Sequence, residues 1–262
     1  MTLRNLGLAA VTAGVLTTAA LTSPAAAQAP APAAAGAAQA APTPRAAAPI
    51  DITGNWVSLV ADDWRWRMMT PPKGDILYLP VNPEGRKVAE SWDPAKDEAA
   101  NEQCKAYGPP GVMALPGRLR ISWQDDTALK LETDNGTQTR LFQFGRAAAA
   151  AGEPTRQGRS VAEWEIAGGR RGGPGPRPGS SLKVTTTNMT PGYFRKNGVP
   201  YGANATFTEY YTVISEPDGN TYLNLTWFLE DPQYLTGPFI RTVHFKKEPD
   251  GSKWAPSACS AR

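Results

Sequence analysis

From Leu119 onward the chain alternates between apolar and polar side chains in short runs separated by turn signals, and this pattern narrows the possible architectures more than any other feature. Leu119, Ile121 and Trp123 share one side of an extended chain. Leu129 and Leu131 share the next, followed by Arg140, Phe142 and Phe144, by Ala162, Trp164 and Ile166, and by Leu182, Val184 and Thr186. The last third repeats the theme with Phe207, Tyr211 and Val213, then Leu223, Leu225, Trp227 and Leu229, then Phe239, Val243 and Phe245. A period of two is the mark of strands with one buried face. Asp125-Asp126, Asp134-Asn135-Gly136, Glu216-Pro217-Asp218-Gly219-Asn220 and Glu248-Pro249-Asp250-Gly251 punctuate the runs, and Asn-Gly and Asp-Gly tolerate the positive φ of tight hairpins. About nine strands joined by turns predict an all-β fold, a single antiparallel up-and-down barrel, with a β-sandwich as the alternative.

The 25 glycines and 25 prolines among 262 residues favour turns over long helices. One domain over residues 51–262 fits this length. Its opening stretch, Ile52 to Met69, places Trp56, Ser58 and Val60 on one side, and Trp64, Trp66 and Met68 align again after Asp62-Asp63. It reads as a first strand or strand pair. Pro83 to Asn101 carries Val88 and Trp92 four apart with Pro94 as an interruption, which predicts one short helical segment. Residues 103–117 form a Pro/Gly-rich connection, either a lid or packed irregular structure. Residues 147–152 and the basic Gly/Pro run 168–179 read as surface loops.

Residues 1–27 have the layout of a secretory signal: Arg4, an apolar core from Leu6 to about Ala20, and Ala25, Ala26 and Ala27 before Gln28. An uncleaved anchor is the alternative, and no later segment is long and apolar enough to cross a bilayer. Residues 28–50, almost wholly Ala and Pro, are expected to be a disordered linker. Leaving out residues 1–50 removes Arg4 and Arg45 and no acid, so the formal charge falls from +3 to +1. A near-neutral body argues against nucleic acid as a partner. Export to the periplasm or beyond would place Cys104 and Cys259 in an oxidising compartment. A bridge between them closes a long loop, contributing about 4 to 5 kcal/mol on the chain-entropy argument, and two free thiols are the alternative.

Arg140, Glu209 and Arg241 fall on the apolar sides of their strands, beside Phe142, beside Phe207 and Tyr211, and beside Phe239 and Val243. Buried charge is costly unless paired, so these three are expected to meet one another, water or a ligand. His244 is the only histidine, which excludes a histidine-based triad or multi-histidine metal site. Asp62-Asp63, Asp125-Asp126 and Glu230-Asp231 are carboxylate pairs of the kind that serve either calcium or acid/base chemistry, or simply cap turns. No phosphate-cradling loop or Cys-x-x-Cys pair is present, and no cofactor or metal is expected.

Gly54-Asn55-Trp56 resembles the Gly-x-Trp opening of lipocalin-like barrels, in which a late-strand Arg packs across that Trp; the resemblance assigns this role to Arg241. From about Cys104 to Pro238, segments such as CKAYGPPGVMALPGRLRISWQDD, TRLFQFG, SLKVTTTNM, TFTEYY and EDPQYLTGPF are similar to a family of exported bacterial proteins of unknown function. That family shows Trp-Glu-Gly-Asp where this chain has Trp164-Glu165 and a Gly/Arg insertion. The resemblance implies one continuous exported domain and no particular reaction.

The reading that follows is a periplasmic, lipocalin-like barrel binding a small, largely apolar ligand. Trp56, Trp123, Phe142, Phe207, Tyr211 and Trp227 would line the interior and Arg140, Glu209 and Arg241 would be its polar points. A solid-cored accessory or structural subunit of an exported complex is the alternative. A carboxylate enzyme using Glu209 or an acidic pair is the third.

Overall fold

A computed structural model describes residues 41–61, 64–145, 152–168, 177 and 179–262. The signal segment, most of the linker, Asp62-Asp63, and most of the two low-complexity loops lie outside the described residues. The rest is mostly β. Nine strands close into a barrel: β1 (Gly54–Leu59), β2 (Arg118–Trp123), β3 (Ala128–Thr133), β4 (Thr139–Phe144), β5 (Arg159–Glu165), β6 (Ser181–Thr187), β9 (Thr206–Ser215), β10 (Thr221–Glu230) and β11 (Phe239–Glu248). They run around the barrel in the order β1-β11-β10-β9-β6-β5-β4-β3-β2. Between β6 and β9 the chain leaves the wall to form a separate hairpin, β7 (Gly192–Arg195) and β8 (Val199–Tyr201).

The expected alternation holds on every wall strand. Leu129, Leu131, Phe142, Leu182, Val184, Thr186, Phe207, Tyr211, Leu223, Leu225, Trp227 and Leu229 are fully buried, whereas their neighbours in sequence are mostly half-buried or exposed. The expected antiparallel pairing is corrected at one place: β4 and β5 pair in parallel, with Phe142 opposite Ser160 and Phe144 opposite Ala162. Parallel neighbours need a crossover of a dozen or more residues. The chain between Phe144 and Arg159 supplies it, and Thr155 bridges Met189 on the far side.

The strand-pair reading of Ile52–Met69 is also corrected. Only β1 is a strand, and Trp64–Arg67 is a helical turn, α1. Both edges of β1 are already taken, by β11 and by β2, so a closed barrel leaves no edge for another strand. α1 is instead fixed by Arg67, which is 4% exposed and donates to the carbonyls of Leu59 at 2.5 Å and Ala114 at 2.9 Å. The helical segment around Pro94 becomes two helices, α2 (Pro83–Ser91) and α3 (Pro94–Ala99). Each begins with proline after an Asn or Asp cap: Asn82 accepts from the Gly85 N–H and Asp93 from the Ala95 N–H. The Pro/Gly-rich connection is packed irregular structure with a short helix, α4 (Pro109–Val112), all four residues of which are buried.

The two barrel ends differ. α1 to α4, β7 and β8 gather at the end where β1 stops and β11 starts, here called the base, and bury Tyr107, Met113, Phe194 and Tyr201 there. The Asn-Gly turn between β3 and β4 is part of this plug. Gly136 has φ 75°, and a Cβ at this position would meet the Tyr107 ring at 2.1 Å. Cys104 and Cys259 are bonded, which ties the C-terminal tail to the plug. The opposite end, the mouth, carries the turns β2–β3 and β9–β10.

Residues 41–50 are not a loose tether. The Arg45 N–H donates to the Asp126 carbonyl, the Trp164 indole donates to the Pro44 carbonyl at 2.8 Å, and the Arg177 N–H donates to the Pro49 carbonyl. Ile50 packs on the core beside Ile52, which is 1% exposed. The segment therefore lies as a strap at the mouth.

Candidate functional site

The nine residues nominated from sequence divide among three places. Arg140, Glu209, Trp56, Phe142, Phe207, Tyr211 and Trp227 are in the barrel interior, each at most 1% exposed. Register places Glu209 opposite Val184 on one side and Trp227 on the other. The Arg140 guanidinium meets Glu209 through two hydrogen bonds, at 2.8 and 2.5 Å, and donates to Thr186 Oγ1 at 3.2 Å. The Tyr211 hydroxyl donates to Glu209 at 2.7 Å, and Ser160 completes the chain through Thr186 at 2.8 Å. Phe142 and Phe207 flank the guanidinium, with ring centroids at 4.9 and 5.9 Å.

Burial by itself disfavours the Arg140 charge, but the Glu209 carboxylate more than offsets this and holds the guanidinium above its ordinary pKa. Burial, and then the Glu209 charge, push the Tyr211 phenol well above its ordinary value. Rings in contact fill the space around the pair: Phe142 with Tyr211 at 5.7 Å, Phe207 with Trp227 at 5.3 Å, and Trp227 with Phe239 at 5.5 Å. The rings pack closely around the ion pair. Glu209, the carboxylate nominated as a general base, has both oxygens committed.

Arg241 does not join them: of the outcomes expected for the three charges, mutual contact holds for Arg140 and Glu209, and Arg241 lies elsewhere. It is half-buried at the base, opposite Trp227 on β10 and beyond the last residue of β1. There it lines a cleft of about 170 Å³ with Trp66, Phe194, Arg195, Lys196 and Arg262. Nor is Arg241 the cation against Trp56. That indole is fully buried and donates to the Ile52 carbonyl at 3.0 Å, and the cation over its ring is Lys247, its cross-strand neighbour, at 5.2 Å.

Trp123 stands apart at the mouth. It stacks on Phe144 at 5.8 Å and lies 6.4 Å from Trp164, with Phe144 and Trp164 at 5.4 Å. Between this aromatic cluster and the strap lies a cleft of about 370 Å³, lined by Arg45, Ile50, Asp51, Ile52, Trp123, Leu129 and Trp164 among others. Ile52 and Leu129 belong to the core, so the floor of the cleft is the top of the barrel's apolar interior. Its rim is polar: Arg45 pairs with Asp126 at 3.8 Å, and Asp51 accepts from the Thr53 backbone and hydroxyl.

The acidic pairs serve the turns. The Asp125 carboxylate accepts from the Thr127 N–H and hydroxyl, which lower its pKa. Buried Asp231 accepts from the Gly202 and Gln233 N–H groups. Asp62-Asp63 lies outside the described residues, and among the described residues no cluster of three metal-ligating side chains occurs.

Sequence reading missed the strap and Trp164 as site components. The signal available was the apolar pair Ile50 and Ile52 at the edge of an otherwise Ala/Pro segment, the first large side chains before β1. Comparison of the chain with known protein families, curated proteins and solved structures finds no match.

Proposed function

We propose that the protein is an exported binding protein that holds a small, largely apolar ligand at the mouth of its barrel, between the strap and Trp123, Leu129 and Trp164. The observation that carries this reading is the cleft of about 370 Å³ with an apolar floor and polar rim. Its size falls at the lower end of small-molecule sites, and aromatic walls with a few polar points are their usual composition. The site of binding is thus the mouth rather than the interior. Export is supported by the signal-like N-terminus and by the disulfide, which suits an oxidising compartment.

Tryptophan fluorescence titrated with decanoate and with anilinonaphthalene sulfonate tests the reading. Saturable changes are expected, abolished by Trp123→Leu together with Trp164→Leu and retained in Trp66→Leu. A flat response in the unsubstituted chain refutes it. The packed interior favours a second reading, a solid-cored accessory subunit of an exported complex, in which neither probe binds and the mouth aromatics serve only to seat the strap.

A further inference from the structure

Among the described residues, the six large apolar side chains that are more than half exposed are Trp64 (57%), Met68 (56%), Met69 (59%), Leu77 (60%), Tyr78 (82%) and Ile240 (55%). All six lie at the base. Met68 and Met69 share the 170 Å³ cleft with Trp66, Arg195 and Arg241. Leu77, Tyr78 and Ile240 share a neighbouring cleft of about 310 Å³ with the same three residues. Trp64 opens α1, two residues before Trp66, and lines neither cleft. The other five therefore form one patch around Trp66, at the end of the molecule opposite the mouth.

This exposure is built into the fold. Arg67 pins α1 from beneath through the Leu59 and Ala114 carbonyls. Asn197, fully buried, pins a second segment, residues 70–79 between α1 and α2, by donating to the Pro72 and Asp75 carbonyls at 3.0 and 2.9 Å. Ile76 turns inward at 8% exposure while Leu77 and Tyr78 project outward. Tyr78 is held at φ 65°, a conformation that is rare for a bulky residue and persists only where the surroundings enforce it. Cations lie beside the patch. Arg65 and Arg195 approach the Trp66 ring at 5.7 and 5.9 Å, exposed Lys73 belongs to the 70–79 stretch, and half-buried Lys196 lines the cleft and donates to the Arg262 carbonyl. Asp75 is the one carboxylate in the described part of these two segments, and Arg65 pairs with it at 3.6 Å.

We infer that this patch docks the protein on an anionic phospholipid surface. Projecting Tyr, Leu, Met and Ile side chains with Arg and Lys beside them match a bilayer interface, where amphipathic rings sit at headgroup depth and cations meet lipid phosphates. The barrel then stands with its mouth facing away from the membrane.

The test is co-sedimentation of the full chain with phosphatidylcholine vesicles, with and without phosphatidylglycerol. Binding is expected to require the anionic lipid, to weaken with salt, and to fall about fivefold for each of Arg65→Gln and Lys73→Gln. Met69→Ser with Tyr78→Ser is expected to lower partitioning by about tenfold or more while leaving thermal unfolding unchanged, since both side chains are exposed. The inference is overturned if no binding occurs, or if binding survives all four substitutions. It is also overturned if the protein self-associates without lipid and the same substitutions abolish that association, because the patch is then a protein–protein interface.

Discussion

Removing the Arg140 side chain isolates the interior ion pair. In Arg140→Met, Glu209 loses both guanidinium hydrogen bonds and keeps only the Tyr211 hydroxyl at 2.7 Å, in a site with no exposure to water. An uncompensated buried carboxylate costs about 3 to 5 kcal/mol, a large share of the roughly 5 to 15 kcal/mol that stabilises a domain. Arg140→Met with Glu209→Leu removes both charges, and the remaining deficit is the orphaned Tyr211 hydroxyl, about 1 to 3 kcal/mol. Thr186 retains Ser160 at 2.8 Å. Adding Tyr211→Phe removes that orphan and is expected to restore most of the stability. Urea unfolding followed by tryptophan fluorescence and far-UV circular dichroism reads the series, with a coupling between positions 140 and 209 of at least about 2 kcal/mol. If Arg140→Met costs less than about 1 kcal/mol while probe binding at the mouth is lost, the pair is part of a site and not a brace.

Reducing the Cys104–Cys259 bond, or replacing both residues by Ser, reopens a loop spanning 155 residues and is expected to destabilise the protein by about 5 kcal/mol on the chain-entropy argument; an unchanged urea midpoint contradicts this. Alkaline pH supplies a second stress. Burial raises the phenol pKa of Tyr107, Tyr193, Tyr201 and Tyr211 in the folded state. The folded chain therefore holds protons that the unfolded chain releases near pH 10, so this contribution is intact below about pH 10 and stability falls as pH rises beyond it. Phenolate absorbance is expected to rise late and together with unfolding, and reversible ionisation of all eight tyrosines near pH 10 in a still-folded protein contradicts the burial.

The barrel was legible because its signal is local. Leu223, Leu225, Trp227 and Leu229 declare a buried face without reference to any other strand, and Gly219 and Gly136 mark the turns through positive φ. The parallel β4–β5 pair was not legible, since Gly145, Gly152, Pro154 and Gly158 in the crossover after Phe144 mark turns but do not say in which direction the next strand runs. Strand alternation correctly placed Arg140, Glu209 and Arg241 on interior-facing positions, but it does not give height along the barrel axis. Arg140 and Glu209 are near the centre, whereas Arg241, near the start of β11, is past the end of β1. The strap escaped notice because Ala and Pro carry little hydrophobic signal. What holds it is backbone carbonyls at Pro44 and Pro49, which any sequence would offer. The period-two run Trp64, Trp66, Met68 misled for a related reason: alternation was present, but no sheet edge remained to receive it.

The indole N–H resonances of the eight tryptophans test the central claim most directly, because the mouth, the core and the base each hold named tryptophans. On titration with decanoate, the Trp123 and Trp164 signals are expected to shift together and to saturate, with Trp56 and Trp227 unmoved. Shifts centred on Trp56 and Trp227 would place the ligand inside the barrel, and unmoved signals at Trp123 and Trp164 would remove the mouth as a binding site.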